Sequence, residues 1–405
     1  MSQEAEHAGN VSLTFLVIAL TFSHAMAAMA MMVLPAVAPL VAREYGIDAS
    51  LIGYQISLVS VGLLISLVTV GNLSRKTGAC RANQIGHSMV AAGMLLMMLP
   101  AIGFLLPGSL VIGLGFGLLA PSASALLVRF APPARRNVLF SIHQTSIPLG
   151  GMVAALGAPL IAVNFGWRWA FACAFALIIV AVALMQIGRA RWDDDREPAA
   201  RATMRNPFEG FMSNWRDRRL RRLSLAGFSF CWAQFCVSAF TVVACVEALG
   251  MSLIAAGTVL MAVQIANATG RVIVGWITDQ TGSAARMLVW MGWAMLAVSI
   301  GFIWLAPAWP PVLTYLMFAA LGVTSGAWAG ILLAEVGHLA PPGRVGAVIS
   351  GTLVYVNLGK LAGPTIFAAT YALTHSYGIA FALIAAPALM AVYCLSAGKR
   401  PASLQ

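Results

Sequence analysis

Twelve stretches of about 20 or more predominantly apolar residues, parted by short hydrophilic breaks, leave this chain of 405 residues few ways to fold. A hydrocarbon core about 30 Å thick is crossed by a helix of roughly 20 residues. Only helices and closed barrels satisfy every backbone N–H and C=O inside lipid, and runs this long are not barrel strands of about 10 residues. The stretches are residues 12–41, 51–73, 83–103, 107–130, 138–162, 169–188, 223–246, 254–278, 287–306, 312–336, 345–372 and 379–397. Only 9% of residues are charged, against about 25% in soluble domains, and the mean hydropathy is +0.87. The expected fold class is an all-α membrane protein with 12 transmembrane helices. Ala-Met-Ala-Ala-Met-Ala in the first run looks like a signal-peptidase site, but no basic segment precedes it and the run is too long, so an uncleaved first helix is expected.

A formal charge of +11 would point to nucleic acid in a soluble protein, so the placement of the cations decides its meaning. With both termini inside, the inner segments hold Arg75, Lys76 and Arg81, then Arg129, Arg135 and Arg136, then ten arginines between Arg189 and Arg222. Arg286, Arg344, Lys399 and Arg400 complete that set, against Arg43 and Arg168 outside. This is the positive-inside asymmetry of a polytopic protein with cytoplasmic termini, and no nucleic-acid partner is expected. Arg271 and Lys360 fall inside apolar runs. The six cysteines have no paired metal-ligand spacing and read as small packing residues. Neither a cofactor nor a metal is expected.

The longest hydrophilic stretch divides the chain into a six-helix bundle over 1–188, a cytoplasmic linker over 189–222 and a second six-helix bundle over 223–405. Internal repetition supports that division. At an offset of 204, Gly46, Gly53, Gly71, Thr77 and Gly78 match Gly250, Gly257, Gly275, Thr281 and Gly282. At an offset of 209, Ala131-Pro132-Pro133-Ala134-Arg135 matches Ala340-Pro341-Pro342-Gly343-Arg344.

Helix count, central linker and duplicated halves make the chain resemble the major facilitator superfamily over its whole length. Its most specific element is the loop after the second run, where that family carries Gly-x-Leu-x-Asp-Arg-x-Gly-Arg-Arg or a variant. Here Gly71-Asn72-Leu73-Ser74-Arg75-Lys76-Thr77-Gly78 has Arg75 in place of the acid, while the weaker second copy, Gly275-Trp276-Ile277-Thr278-Asp279-Gln280-Thr281-Gly282, retains Asp279. The resemblance assigns Gly71, Arg75, Gly78, Gly275, Asp279 and Gly282 to gating, and Arg75 cannot play the acidic role in a lock. Ser141-Ile142-His143-Gln144-Thr145-Ser146-Ile147-Pro148-Leu149-Gly150-Gly151 looks like the fifth-helix segment of several bacterial members, with His143 where a lysine is frequent. The resemblance implies alternating access about a central site, a monomer, and a cavity lined by the first, fourth, seventh and tenth helices, with the second, fifth, eighth and eleventh beside it.

Candidate site residues must then be polar, deep and on those helices. Lys360, about midway along the eleventh run, would cost about 2.5 to 3.5 kcal/mol facing lipid. It reads as a counter-ion for an anionic substrate, or alternatively as an interhelical hydrogen bonder or the partner of a proton-carrying carboxylate. Asn357 shares its helical face. Gln264, Asn267 and Arg271 make one polar stripe on the eighth run, with pairing of Arg271 to Glu335 or Asp279 as the alternative to substrate contact. Tyr54, Gln144, Gln234, Trp328 and Tyr355 are candidate cavity liners, with ordinary packing as the alternative. His143 joins the substrate-binding set, and His24 and Glu335 are candidates for proton coupling, since imidazole titrates near neutral pH. The alternative for each histidine is a buried neutral ring bonded to a neighbouring helix. His87 carries less weight, because the third helix commonly faces outward in this family.

No Gly-x-Ser-x-Gly, His-Glu-x-x-His or phosphate-cradling loop is present, so an enzyme or ATP-driven pump is not expected. Apart from Glu335 and Glu247, the acidic residues fall in tails, loops or helix ends, and the fourth run lacks the embedded arginine typical of drug antiporters in the family. The expectation is a secondary carrier of the inner membrane for a small organic anion, taken up with protons. The alternative is a proton-coupled efflux pump for amphipathic compounds.

Overall fold

The computed structural model describes residues 13–69, 73–132, 135–197, 207–341 and 345–396. Every regular element among them is helical: α1 Leu13–Tyr45, α2 Tyr54–Thr69, α3 Leu73–Thr77, α4 Ala79–Met98, α5 Leu105–Phe130, α6 Arg136–Gln144, α7 Ser146–Phe165, α8 Trp167–Trp192 and α9 Pro207–Arg216. The order continues with α10 Arg218–Glu247, α11 Leu253–Thr281, α12 Ala284–Gly301, α13 Pro311–Gly326, α14 Ala329–Leu339, α15 Val345–Thr374, α16 Tyr377–Ala382 and α17 Ala385–Ser396, with short 3-10 turns between some of them.

Among the described residues eleven segments are long and apolar enough to cross a membrane, one fewer than expected. The difference lies at α4, which has the length at 20 residues. Arg81, Asn83, Gln84 and His87 dilute its first half, and those groups are turned inward: Asn83, Gln84 and His87 are buried. Two of the runs read as single helices are broken. α6 and α7 part at Thr145, and α13 and α14 part at Ala327 and Trp328.

Packing divides the chain into two compact units. The first comprises residues 1–33, 61–151 and 168–205, and the second 34–60, 152–167 and 206–405. The seams fall within α1, between residues 60 and 61 of α2, and within α7, so different stretches of one helix belong to different units.

In the first unit, the end of α8 ties down the helices beside the altered loop. Asp193 is buried, and its carboxylate accepts the backbone N–H groups of Cys80 at 2.7 Å and Arg81 at 2.9 Å. These are the second and third positions of α4, whose own cap, Gly78, has no side chain to offer. Gly78 has φ 94°, and a Cβ there would run into the Asp193 carboxylate, so glycine is required twice over. The next two aspartates pair with Arg129 at the end of α5, Asp194 in a short contact and Asp195 at 2.8 Å, while Arg129 also donates to the Trp192 carbonyl. The triple aspartate read as part of a hydrophilic linker thus joins the ends of α4 and α5 to α8.

The second unit adds another departure: the linker contains a helix. Pro207 opens α9 at a position where a missing N–H costs nothing, and Phe208, Phe211, Met212 and Trp215 recur at helical spacing. Asn214 is fully buried and its amide donates to Val348 O at 2.9 Å and Thr352 Oγ1 at 3.0 Å on α15. Asp217 then caps α10, accepting from Arg219 and Leu220, which places a negative charge at a helix start crowded with arginines.

Burial pushes the Asp193 carboxyl above its ordinary range, with the Cys80 and Arg81 N–H bonds offsetting part of the rise. A carboxyl raised in the folded state favours folding in its protonated form, so that contribution is lost as pH rises through the folded value. Asp193→Ala, which orphans two N–H groups, is expected to lower stability by on the order of 1 kcal/mol. Asp193→Asn keeps an acceptor without a buried charge and should cost less at neutral pH. Thermal unfolding of the purified variants in detergent checks the order, and an Asn variant worse than Ala would contradict it.

Candidate functional site

Helix periodicity brings the deep polar residues of the second unit onto α10, α11, α13, α14 and α15. Lys360 on α15 is 3% exposed, and its ammonium lies 4.4 Å from the centre of the Phe235 ring on α10, a cation–π contact. Cys231, one turn before Phe235, lies within electrostatic range of both Lys360 on α15 and Arg271 on α11. The polar stripe on α11 forms as expected: Gln264 and Asn267 are buried, and the Arg271 Nε donates to Asn267 Oδ1 at 3.0 Å. Among the described residues Arg271 makes no ion pair, so the alternative of pairing with Glu335 or Asp279 is not realised. Glu335, on α14, is half-buried and Asp279 is exposed.

Gln234 and Trp328 meet. The indole N–H of Trp328 donates to Gln234 Oε1 at 3.1 Å, and the Trp328 ring stacks on Phe230. Trp328 sits at the break between α13 and α14, and Asn267 lies against Gly326 just before it. A helix interrupted at buried polar residues frees backbone groups that a regular helix would consume, and such interruptions mark substrate sites in carriers.

Other expected liners are placed elsewhere. Tyr355 faces α9, donating to Phe211 O at 3.2 Å and stacking on Phe211 and Trp215, so its ring and hydroxyl are occupied by the linker helix. Asn357 is half-buried and its amide returns to Leu353 O within α15. Tyr54 is the first residue of α2, at a helix end, and Gln144 is exposed at the end of α6. Of the gating residues, Gly71 lies outside the described residues and only the backbone of Arg75 is described. Gly78 holds the junction with Asp193, Gly275 has open space around it, and Gly282 ends α11 in the left-handed conformation.

In the first unit His24 and His143 come together. Their rings lie 5.0 Å apart, edge to face, with Phe116 of α5 5.2 Å from His24. Their exposures are 3% and 4%, and neither Nδ1 has a hydrogen-bond partner. α1 and the start of α7 approach closely here, because Gly150 lies against the Ala25 carbonyl where a Cβ would not fit. At an effective dielectric of about 20, two unit charges at this separation repel by roughly 3 kcal/mol, so the pair resists double protonation. His87 departs from the outward placement expected of it. It is 0% exposed, with Nδ1 2.9 Å from Asn83 O and Nε2 2.8 Å from Ser23 O on α1. The signal that could have found it was local, since Asn83, Gln84 and His87 share one side of α4 and such a face is costly toward lipid. A cavity of 410 Å³ in this unit lies apart from these residues, lined by Pro121, Ala125, Arg129, Trp192 and Asp195 among others.

Solved structures that share this fold include transporters. A peptide transporter POT in complex with sulfate superposes with a TM-score of 0.76 at 15% identity, covering 95% of this chain and 94% of that one. A D-xylose-proton symporter gives 0.75 at 14% identity, over 95% and 97% of the two chains. Among curated proteins, the Gentisate transporter of Corynebacterium glutamicum is 23% identical over 369 residues, 88% of this chain and 80% of that protein. The MFS-type transporter opdF of Penicillium oxalicum is 24% identical over 327 residues, 79% and 74% of the two. The sequence profile of the Major Facilitator Superfamily matches residues 20–364. With that match over most of its length, and a fold shared with solved transporters of the kind, this multi-pass membrane protein belongs to the Major Facilitator Superfamily of transporters.

Proposed function

We propose that the protein is a secondary carrier for a small organic anion, carboxylate-like in character, acting by alternating access and coupled to protons in the direction of uptake. The observation that supports this reading is a pair of cations on apolar helices, Lys360 buried and Arg271 half-buried beside Asn267, with no carboxylate paired to Arg271 among the described residues. A desolvated ammonium offers an incoming anion more than a water-exposed cation would, because little solvent competes for it. Asn267 holds the guanidinium in one orientation, and a planar guanidinium binds a carboxylate through two parallel N–H donors. The similarity to a gentisate transporter agrees with this chemistry, since gentisate is an aromatic carboxylate. Phe235 beside Lys360 suits an anion with an aromatic or apolar body.

The proposed setting is the bacterial inner membrane, with 12 spans including α4, both termini cytoplasmic and the arginine-rich segments inside. The carrier acts as a monomer within the bilayer, without cofactor or nucleic acid. Asp193 takes over part of the anchoring that the loop lost with Arg75, and Gly78, Gly275, Asp279 and Gly282 remain the candidate gating positions of the two loops.

Thermal unfolding of the purified protein against gentisate, benzoate, small dicarboxylates, sulfonates and lipophilic cations tests the reading. A ligand at about 100 times its Kd should add roughly 2.7 kcal/mol of stability. A carboxylate is expected to stabilise the parent and to lose that effect in Lys360→Ala. If only lipophilic compounds act, and act equally on the variant, the anion site is wrong and efflux of amphipathic compounds replaces it. Arg271→Gln should weaken the same carboxylate by about 10- to 100-fold, the loss of one charged hydrogen-bonding partner. Unchanged affinity in that titration would leave Arg271 as a structural partner of Asn267.

A further inference from the structure

His87, His24 and His143 lie in one unit, and none plays a part in the anion site described above. All three are sealed, at 0%, 3% and 4% exposure, so there is no room beside them for a substrate. A proton needs none. The three rings differ in what surrounds their nitrogens. The Nδ1 atoms of His24 and His143 face no acceptor, whereas both nitrogens of His87 face backbone carbonyl oxygens, Asn83 O at 2.9 Å and Ser23 O at 2.8 Å.

A neutral imidazole has one N–H and one lone pair. Whichever tautomer His87 adopts, its lone pair then points at a carbonyl oxygen within hydrogen-bonding distance, acceptor against acceptor. Adding one proton converts that contact into a second N–H···O=C bond. Burial opposes the charge, and the paired carbonyls are what the fold supplies against it. No charged side chain acts on His87 among the described residues. α1 presents Ser23 and His24, and α5 presents Ser122 and the Leu119 carbonyl to Asn83. α8 presents Gln186 to Gln84, and Arg81, Asp193 and Arg189 are gathered at the end of α4.

We propose that His87, His24 and His143 form one buried protonation site holding a single proton, with His87 as its resting place. The carbonyl that receives the new bond belongs to Ser23, the residue before His24, so protonation tightens the tie between α4 and α1 beside the other two rings. Charge on either His143 or His87 acts on His24, which keeps the three rings to one proton at a time. The coupling of that event to transport rests on the proton-coupled reading above.

The experiment is solid-state NMR of the full chain in bilayers with 15N-labelled histidine, titrated from pH 8 to pH 5. The chain has six histidines, and single His→Gln variants assign their resonances. If His87→Gln does not fold, its resonance is the one retained in all five other variants. The expected result is that, of the three buried rings, His87 is first to show both nitrogens protonated, while His24 and His143 are never charged together. A His87 ring neutral at pH 5, or His24 and His143 both charged, overturns the proposal. Uptake into proteoliposomes under an imposed pH gradient, with whichever carboxylate stabilises the protein, separates the two readings. Gradient-driven uptake with a neutral His87 overturns this site and spares the coupling. A charged His87 with uptake indifferent to the gradient upholds the site and overturns the coupling.

Discussion

A polar group at membrane depth has no water to fall back on, and its bonds must be found among neighbouring helices. That constraint organises what is distinctive here. α4, whose first half is rich in polar residues, turns Asn83, Gln84 and His87 inward and bonds them to α5, α8 and α1. α11 turns Gln264 and Asn267 inward, and Asn267 holds Arg271. In each case the polar side chain decides which face of the helix is buried. Apolar residues alone could not make that choice, since they are as comfortable against lipid as against protein.

The two units use their polar groups differently. In the first, the deep ionisable groups are imidazoles, while Arg129 and the three aspartates stand at the helix ends. In the second, a lysine and an arginine sit deep, steadied by an aromatic ring and an amide.

The elements that depend on short-range pattern were legible in the sequence. Eleven of the twelve spans and the stripe Gln264, Asn267 and Arg271 follow from patterns of a few residues. What escaped depends on partners far away in the chain. Nothing near Tyr355 announces that Phe211 and Trp215 will cover it. The breaks, by contrast, had local signals that were passed over: Pro148 has no N–H for the Gln144 carbonyl one turn before it, which parts the helix at Thr145, and Ser325-Gly326 precedes the break at Ala327 and Trp328. α9 was recoverable, because Pro207 and the spacing of Phe208, Phe211 and Trp215 spell a short amphipathic helix, but the surrounding arginines gave the stretch the look of a loop. His87 was discounted on family habit although its own neighbours argued for burial.

The junction of Gly78 with Asp193 has a bearing on how such a chain can change over generations. The loop and the aspartate are 113 positions apart for the nearer bond, yet any side chain at 78 would displace the carboxylate that closes α4. Position 78 therefore cannot change alone: any side chain there requires the end of α8 to be rebuilt at the same time.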